Sequence, residues 1–289
     1  MMITVQDFTG VYAEQAFMQE LRAITETSKD VRWLNCTKIV GTDCYCDDDA
    51  IKEINELIDN AESSSKSECD SIIENRDNST NVPTIHFFDN GNYHYMSKLW
   101  TDRVQEPFTL IVFDHHPDMQ QPRFGGILSC GGWVKEVLDN NKFIQNVIII
   151  GVKDELVETV REELSQSGEA NILAKVTFIK ESELSTLSSL ICSDFVNVLS
   201  PNLYISIDKD ALSPTYAATN WDQGSLMLDA LKDCITALTT GRKILGVDIC
   251  GERAHDFEGN EQHTAQDADA LNNSLNRELV EFLKKIKEY

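Results

Sequence analysis

The chain alternates between short runs of β-branched and aromatic residues and longer stretches in which apolar residues recur every third or fourth position. The short runs are ITVQDF, VRWLNC, TIHFFD, LIVFDHH, NVIIIGV, KVTFI, LYISID and ILGVDIC. Their length and composition predict eight β-strands. The stretches AEQAFMQELRAIT, DDAIKEINELIDNAE, GWVKEVLDN, DELVETVREELSQ, ESELSTLSSLICS, SLMLDALKDCITAL and ADALNNSLNRELVEFLKKIKEY carry the period of amphipathic helices. Strands that alternate with helices predict βαβ units and a mainly parallel sheet. Runs such as VIIIGV, with no polar alternation, predict strands covered on both faces. Residues 62–81, rich in Ser, Asn and acidic side chains, read as a polar surface loop. With no internal repeat, residues 1–289 read as a single α/β domain, of which 1–80 is an atypical first portion.

In open parallel sheets, ligands bind beyond the carboxyl ends of the strands. Polar groups gather at those ends here. His94 follows TIHFFDN, Asp114, His116 and Asp118 start where LIVF stops, Asp208 and Asp210 close LYIS, and Glu252 follows ILGVDIC. On a strand, the D-x-H-x-D and D-x-D spacings put these side chains on one face. Several carboxylates in one place repel each other unless cations compensate. The pattern therefore predicts a metal site, with two ions. Its candidate ligands are His94, Asp114, His116, Asp118, Asp208 and Asp210, a hard to borderline set without a thiolate that favours Mn2+ or a similar divalent ion. Asp114 and Asp208 are candidates to bridge the two ions. Such a pair yields a bridging hydroxide near neutral pH, able to attack an electrophilic carbon. Asp118 is expected to orient it and to pass the proton to the leaving group. Glu252 is expected to hold a cationic substrate through paired hydrogen bonds. His115 alternates away from this face and is expected to pack. Asp89 and Asp248 are expected to support the ligating histidines. Trp100, Trp133 and Trp221 are expected in packing roles, with lining of the pocket mouth the alternative for Trp221, which follows the Asp pair.

Charge and cysteine usage narrow the classes. Against 25 Lys and Arg stand 48 Asp and Glu, a formal net charge of −23. No basic stripe exists to neutralise phosphates, which excludes nucleic acid as a partner. The acidity suits a small, cationic substrate, or simply a well-solvated surface. The start, MMITVQDFTG, lacks the basic and apolar regions of a leader, and the apolar runs are too short to span a bilayer. Eight scattered cysteines then read as reduced thiols, and the expected location is cytoplasmic, away from membranes. Cys44 and Cys46 lack the second pair a soft metal site needs and read as small apolar residues. Asp47, Asp48 and Asp49 suit the acidic first turn of a helix. A homo-oligomer is compatible with all of this.

The motifs together resemble the ureohydrolase (arginase/agmatinase) family. In that family a Gly-Asp-His-type segment, a D-x-H-x-D segment and an S-x-D-x-D segment supply six ligands to two Mn2+ ions. A later strand ends in G-x-D-x-x-E and supplies a carboxylate to the guanidinium. The matching positions are His94 in GNYHY, Asp114, His116 and Asp118 in DHHPD, Asp208 and Asp210 in SIDKD, and Glu252 in GVDICGE. Order and approximate spacing match over residues 85–255. The resemblance implies a three-layer α/β/α fold and a metal-dependent hydrolase of a C–N bond in a guanidino- or amidino-type substrate. The chain departs from the family where GGDH is FDNGNYH, and where a downstream His is replaced by the run SCGGWV. His255 and His263 are the remaining candidates to shuttle a proton, although each reads as a surface loop residue. Three rival readings stand beside this one. LIVFDHH is similar to the DHH phosphoesterases, the architecture is shared with zinc deacetylases, and a metal-binding relative without catalysis would keep the same ligands.

Overall fold

The computed structural model describes residues 2–66, 84–121, 125–187, 199–259 and 263–286. The strands in chain order are β1 (Met2–Asp7), β2 (Val31–Asn35), β3 (Tyr45–Cys46), β4 (Thr84–Phe87), β5 (Phe108–Phe113), β6 (Leu128–Ser129), β7 (Ile144–Val152), β8 (Val176–Lys180), β9 (Asn202–Asp208) and β10 (Lys243–Cys250). All eight runs expected from the sequence join one sheet, in the order β2-β1-β4-β10-β9-β5-β7-β8. Every pairing in it is parallel. The antiparallel pair β3–β6 was not expected, because two-residue strands are too short to show a period. Beside it, Cys46 is buried as a small apolar residue would be, whereas Cys44 is half-buried with φ +58°.

Continuous apolar strands demand cover on both faces, and the chain supplies it. Ile111, Phe113, Ile205, Ile207, Val247 and Ile249 point to one face, against the helices Ala16–Ile24, Leu228–Thr239 and Ala265–Ile286. Leu110, Val112, Val147, Ile149 and Tyr204 point to the other, against Asp48–Lys66, Met96–Thr101, Trp133–Asn140 and Asp154–Gln166. The result is three layers, α/β/α.

Two helical expectations change. The helix Asp48–Lys66 continues through residues 62–66, which composition had marked as loop. Serine is only modestly unfavourable in a helix, so polarity alone did not mark an end. The rest of that loop lies outside the described residues. Of the expected helix ESELSTLSSLICS, Glu181–Thr186 forms a 3-10 turn, and residues 188–193 lie outside the described part. Among the described residues no helix is long and apolar enough to cross a membrane.

The strand order positions the site. After β4 the chain crosses to build β5, β7 and β8, then returns with β9 and β10 to fill the space between β4 and β5. Because all four inner strands run the same way, the segments following β4, β10, β9 and β5 emerge side by side on one edge.

Ile149, in the middle of β7, is fully buried between helices and sheet. Ile149→Ala should lower unfolding stability by about 2–5 kcal/mol through lost burial and a residual cavity. A lower urea midpoint with an unchanged slope is the expected reading.

Candidate metal centre

The acidic motifs do not converge by strand alternation. β5 ends at Phe113, and Asp114–Asp118 is a loop in which Asp118 adopts a left-handed φ of +48°. β9 ends at Asp208, and Asp210 sits in the 3-10 turn Lys209–Ala211 that Asp208 caps by accepting the Asp210 N–H at 2.9 Å. The loops are tightened by their own carboxylates. Asp114 Oδ1 accepts the His116 N–H at 2.6 Å, and Asp210 Oδ1 accepts the His115 N–H at 3.1 Å. Asp210 thereby ties the loop after β5 to the turn after β9.

His94 is buried, beyond the turn Gly91–Tyr93 that follows β4. Its Nδ1 is 3.0 Å from Asp118 Oδ2, 3.1 Å from Asp114 Oδ2 and 3.4 Å from Asp208 Oδ2. Its Nε2 is 2.9 Å from Ser206 Oγ, which in turn lies 2.9 Å from Ser97 Oγ. Closer to solvent, His116 Nδ1 is 3.0 Å from Asp210 Oδ2 and 3.5 Å from Asp114 Oδ1. Asp114 thus faces both histidines, one oxygen to each. All six expected ligands are brought together.

This donor set fits divalent cations. A ring nitrogen carries at most one hydrogen, so His94 Nδ1 cannot satisfy three carboxylate oxygens. Asp114 Oδ2 is buried and makes no hydrogen bond. With metal–ligand bonds of about 2.1 Å, neighbouring donors lie about 3.0 Å apart in an octahedron and about 3.4 Å apart in a tetrahedron. The separations around His94 and His116 fall at those values. Among the described residues, three groups have donor atoms within 4.8 Å of one another: His94, Asp114 and Asp118; Asp114, His116 and Asp210; and His94, Asp208 and Cys250. Cys250 was missed in the sequence, where no thiol was counted. The signal available was its place at the end of β10.

The supporting residues also differ from expectation. Asp248 bonds His86 and Tyr204, at 2.7 and 2.8 Å, not a ligating histidine. Asp89 accepts the N–H groups of Phe8, Thr9 and Asn90. Support for His94 comes instead from Ser206, and Trp133 Nε1–H donates to Asp118 Oδ2 at 2.7 Å. His115 is buried, as expected of a packed residue. Gly224 lies against it, and a Cβ there would come within 2.8 Å of His115 Nδ1. At the rim, exposed Trp221 stands edge-on to His116, and Asp222 Oδ1 is 2.9 Å from His116 Nε2. His255 lies exposed in a loop.

Glu252 does not join the cluster. Its Oε1 accepts from Lys209 Nζ and Asn276 Nδ2, and its Oε2 accepts from Gln15 Nε2. Glu252 and Lys209 are both fully buried. A carboxylate already held by a lysine and two amides is not open to a substrate cation, so the role expected of Glu252 is not supplied by this geometry. The spacing differs from the family pattern as well. The G-x-D-x-x-E pattern starting at Gly246 reaches Gly251, and Glu252 stands one residue further on.

Without cations the cluster holds protons. Burial pushes Asp208 up to about 7, with Asp210 and Asp114 adding and His94 opposing. Burial and Asp114 push Asp210 up to about 6, opposed by His116. Burial disfavours charge on His94 and His116, yet the acidic groups around them hold both imidazoles well above their ordinary range. An unfolded aspartate titrates near 3.8. Between that value and about 7 the folded state therefore binds more protons than the unfolded state, and stability falls as pH rises. Both histidines act in the same direction from pH 6.5 upward. The melting temperature of chelator-treated protein should thus drop between about pH 5 and about pH 8. The drop should be smaller in Asp208→Asn, and an added divalent cation should raise the melting temperature far more at the upper pH.

The model of the arginase family matches residues 79–273. An uncharacterized protein of Thermotoga maritima is 27% identical over 168 residues, which make up 58% of each chain. The chain thus spans 58% of the length of the curated relative it matches. Among solved structures, the agmatine ureohydrolase of Thermoplasma volcanium superposes with a TM-score of 0.61 at 14% identity, over 99% of this chain and 90% of the other. The arginase of Bacillus caldovelox gives 0.58 at 14% identity, over 95% and 97%. The formimidoylglutamase of Bacillus subtilis gives 0.58 at 12% identity, over 98% and 86%. At such identities these likenesses are of fold.

Proposed function

The chain belongs to the arginase family, and from that premise we propose that it is a metal-dependent hydrolase of a C–N bond in a guanidino- or amidino-type substrate. The observation that carries the reading is the buried carboxylate–histidine cluster, in which Asp114 presents one oxygen to His94 and the other to His116. Two divalent ions would be held there, one among His94, Asp114, Asp118 and Asp208, the other among Asp114, His116 and Asp210. The second group offers only nitrogen and oxygen donors and suits Mn2+. Bound at these positions, such ions supply Lewis acidity and lower the pKa of water toward neutrality.

The residues of the chain do the rest. Trp133 and the left-handed turn at Asp118 hold the Asp118 carboxylate against His94, where it can take a proton and return it to a leaving amine. His116, partly exposed and bonded to exposed Asp222, offers a route for protons between the buried cluster and solvent. Trp221, beside His116 at the rim, can pack against a planar guanidino or amidino group entering the mouth. The chain's formal net charge of −23 favours a small cationic substrate over an anionic one. The phosphoesterase reading gives way to the family match.

A second reading is favoured by one observation. Glu252 is neutralised by Lys209, so a member of the family that binds metal without acting on guanidino compounds would also keep this site. Protein purified with Mn2+ should carry about two ions per chain, and Asp208→Asn should lose at least one. The native chain should release urea or ammonia from some member of a guanidino and amidino series, and Asp208→Asn should be slower by about 100-fold or more. Full metal loading with no release from any member would favour the second reading, and failure to bind metal would overturn both.

A further inference from the structure

The end of β10 brings one more donor to the cluster. Register pairs Cys250 of β10 with Asp208 of β9, just as Asp248 pairs with Ser206 one step earlier. Phe113 of β5 pairs with Ile207, so Asp114 follows beside Asp208. Cys250, Asp208 and Asp114 therefore form one row, at the ends of β10 and β9 and just past the end of β5, on the face where Ser206 meets His94. The Cys250 thiol lies 3.1 Å from Asp208 Oδ2, and its sulfur, His94 and Asp208 have donor atoms within 4.8 Å of one another.

A buried cysteine is usually a small apolar residue, and Cys234 of this chain is one, packed among leucines and isoleucines of the Leu228–Thr239 helix. Cys250 differs because its sulfur faces an imidazole and a carboxylate. On the far side of Asp208 in that row, Asp114 Oδ2 is buried and without a hydrogen bond.

We propose that Cys250 is a metal ligand, and that the deep position of the centre, where it adds a sulfur beside His94 and Asp208, takes a borderline-soft divalent ion such as Zn2+ or Co2+. The outer position, with Asp114, His116 and Asp210, has no sulfur and takes a harder ion. The centre is then asymmetric, with two positions of different metal preference. A thiolate selects softer ions, while carboxylate and imidazole alone leave the choice to harder ones. As the ion binds, Cys250 Sγ–H releases its proton to solvent and a sulfur–metal bond forms. This inference rests on the proposal that the cluster binds metal, and goes beyond it in naming the sulfur and the ion class.

The test is cobalt loading of the full chain after chelator treatment. The native chain should show near-ultraviolet absorption from thiolate-to-cobalt charge transfer. The band should persist in Cys44→Ser and Cys130→Ser and be lost in Cys250→Ser. Zinc affinity should fall by about tenfold or more in Cys250→Ser, with little change for Mn2+. Cadmium NMR of the native chain, which needs no variant, should show one resonance shifted downfield as sulfur ligation requires. Two bound ions with no charge-transfer band, and cadmium resonances typical of oxygen and nitrogen ligation only, would overturn the assignment of Cys250 while leaving the metal centre standing. No bound divalent ion of any kind would overturn both.

Discussion

Four aspartates confined to one buried place repel one another, and the architecture around them answers that repulsion. Asp114, Asp118, Asp208 and Asp210 are all buried within reach of two histidines. Carboxylates leave water at a high cost unless opposite charge and hydrogen bonds replace it. Backbone N–H groups of His115, His116 and Asp210 meet part of that need. The indole of Trp133 meets another part. What is left over, above all at Asp114 Oδ2, is the share that protons or divalent cations must carry.

The sheet makes this crowding attainable. A parallel strand order with β9 and β10 inserted between β4 and β5 gathers four carboxyl ends at one edge, although their sequences lie far apart. Residues that repel one another are thus held by strands whose apolar side chains are buried on both faces. Burial of that apolar surface is the dominant favourable term in folding and can sustain a locally unfavourable cluster. The costly residues lie at the strand ends or in the loops and turns just past them, where backbone N–H groups can curl to meet them.

The neighbouring ion pair of Glu252 and Lys209 shows the same economy on the other side of the chain. Lys209 sits between Asp208 and Asp210 in sequence, yet its ammonium points away from them into a pocket shared with Gln15 and Asn276. Two opposite charges buried together satisfy each other, and neither is left for a ligand. Glu252 turns toward the helix Ala265–Ile286, from which Asn276 donates to it.

Much was legible in the sequence, and for identifiable reasons. Period and composition marked all eight strands of the main sheet, because strands buried on both faces read as unbroken apolar runs. The histidine and aspartates of the cluster stood out because charge at the end of an apolar run is costly without a purpose. The sequence could not show how those residues converge. Alternation on a strand suggested it, whereas curled loops after Phe113 and Asp208 achieve it. Nor could it show that Cys250 belongs with them, since a lone cysteine ending a strand looks like any small core residue. Only strand order and register set its sulfur beside Asp208, and only packing against Lys209 withdrew Glu252. Local pattern determines which segments become strands and where charge collects. Which of those charges face one another depends on contacts between strands far apart in sequence, and the tertiary structure alone decides them.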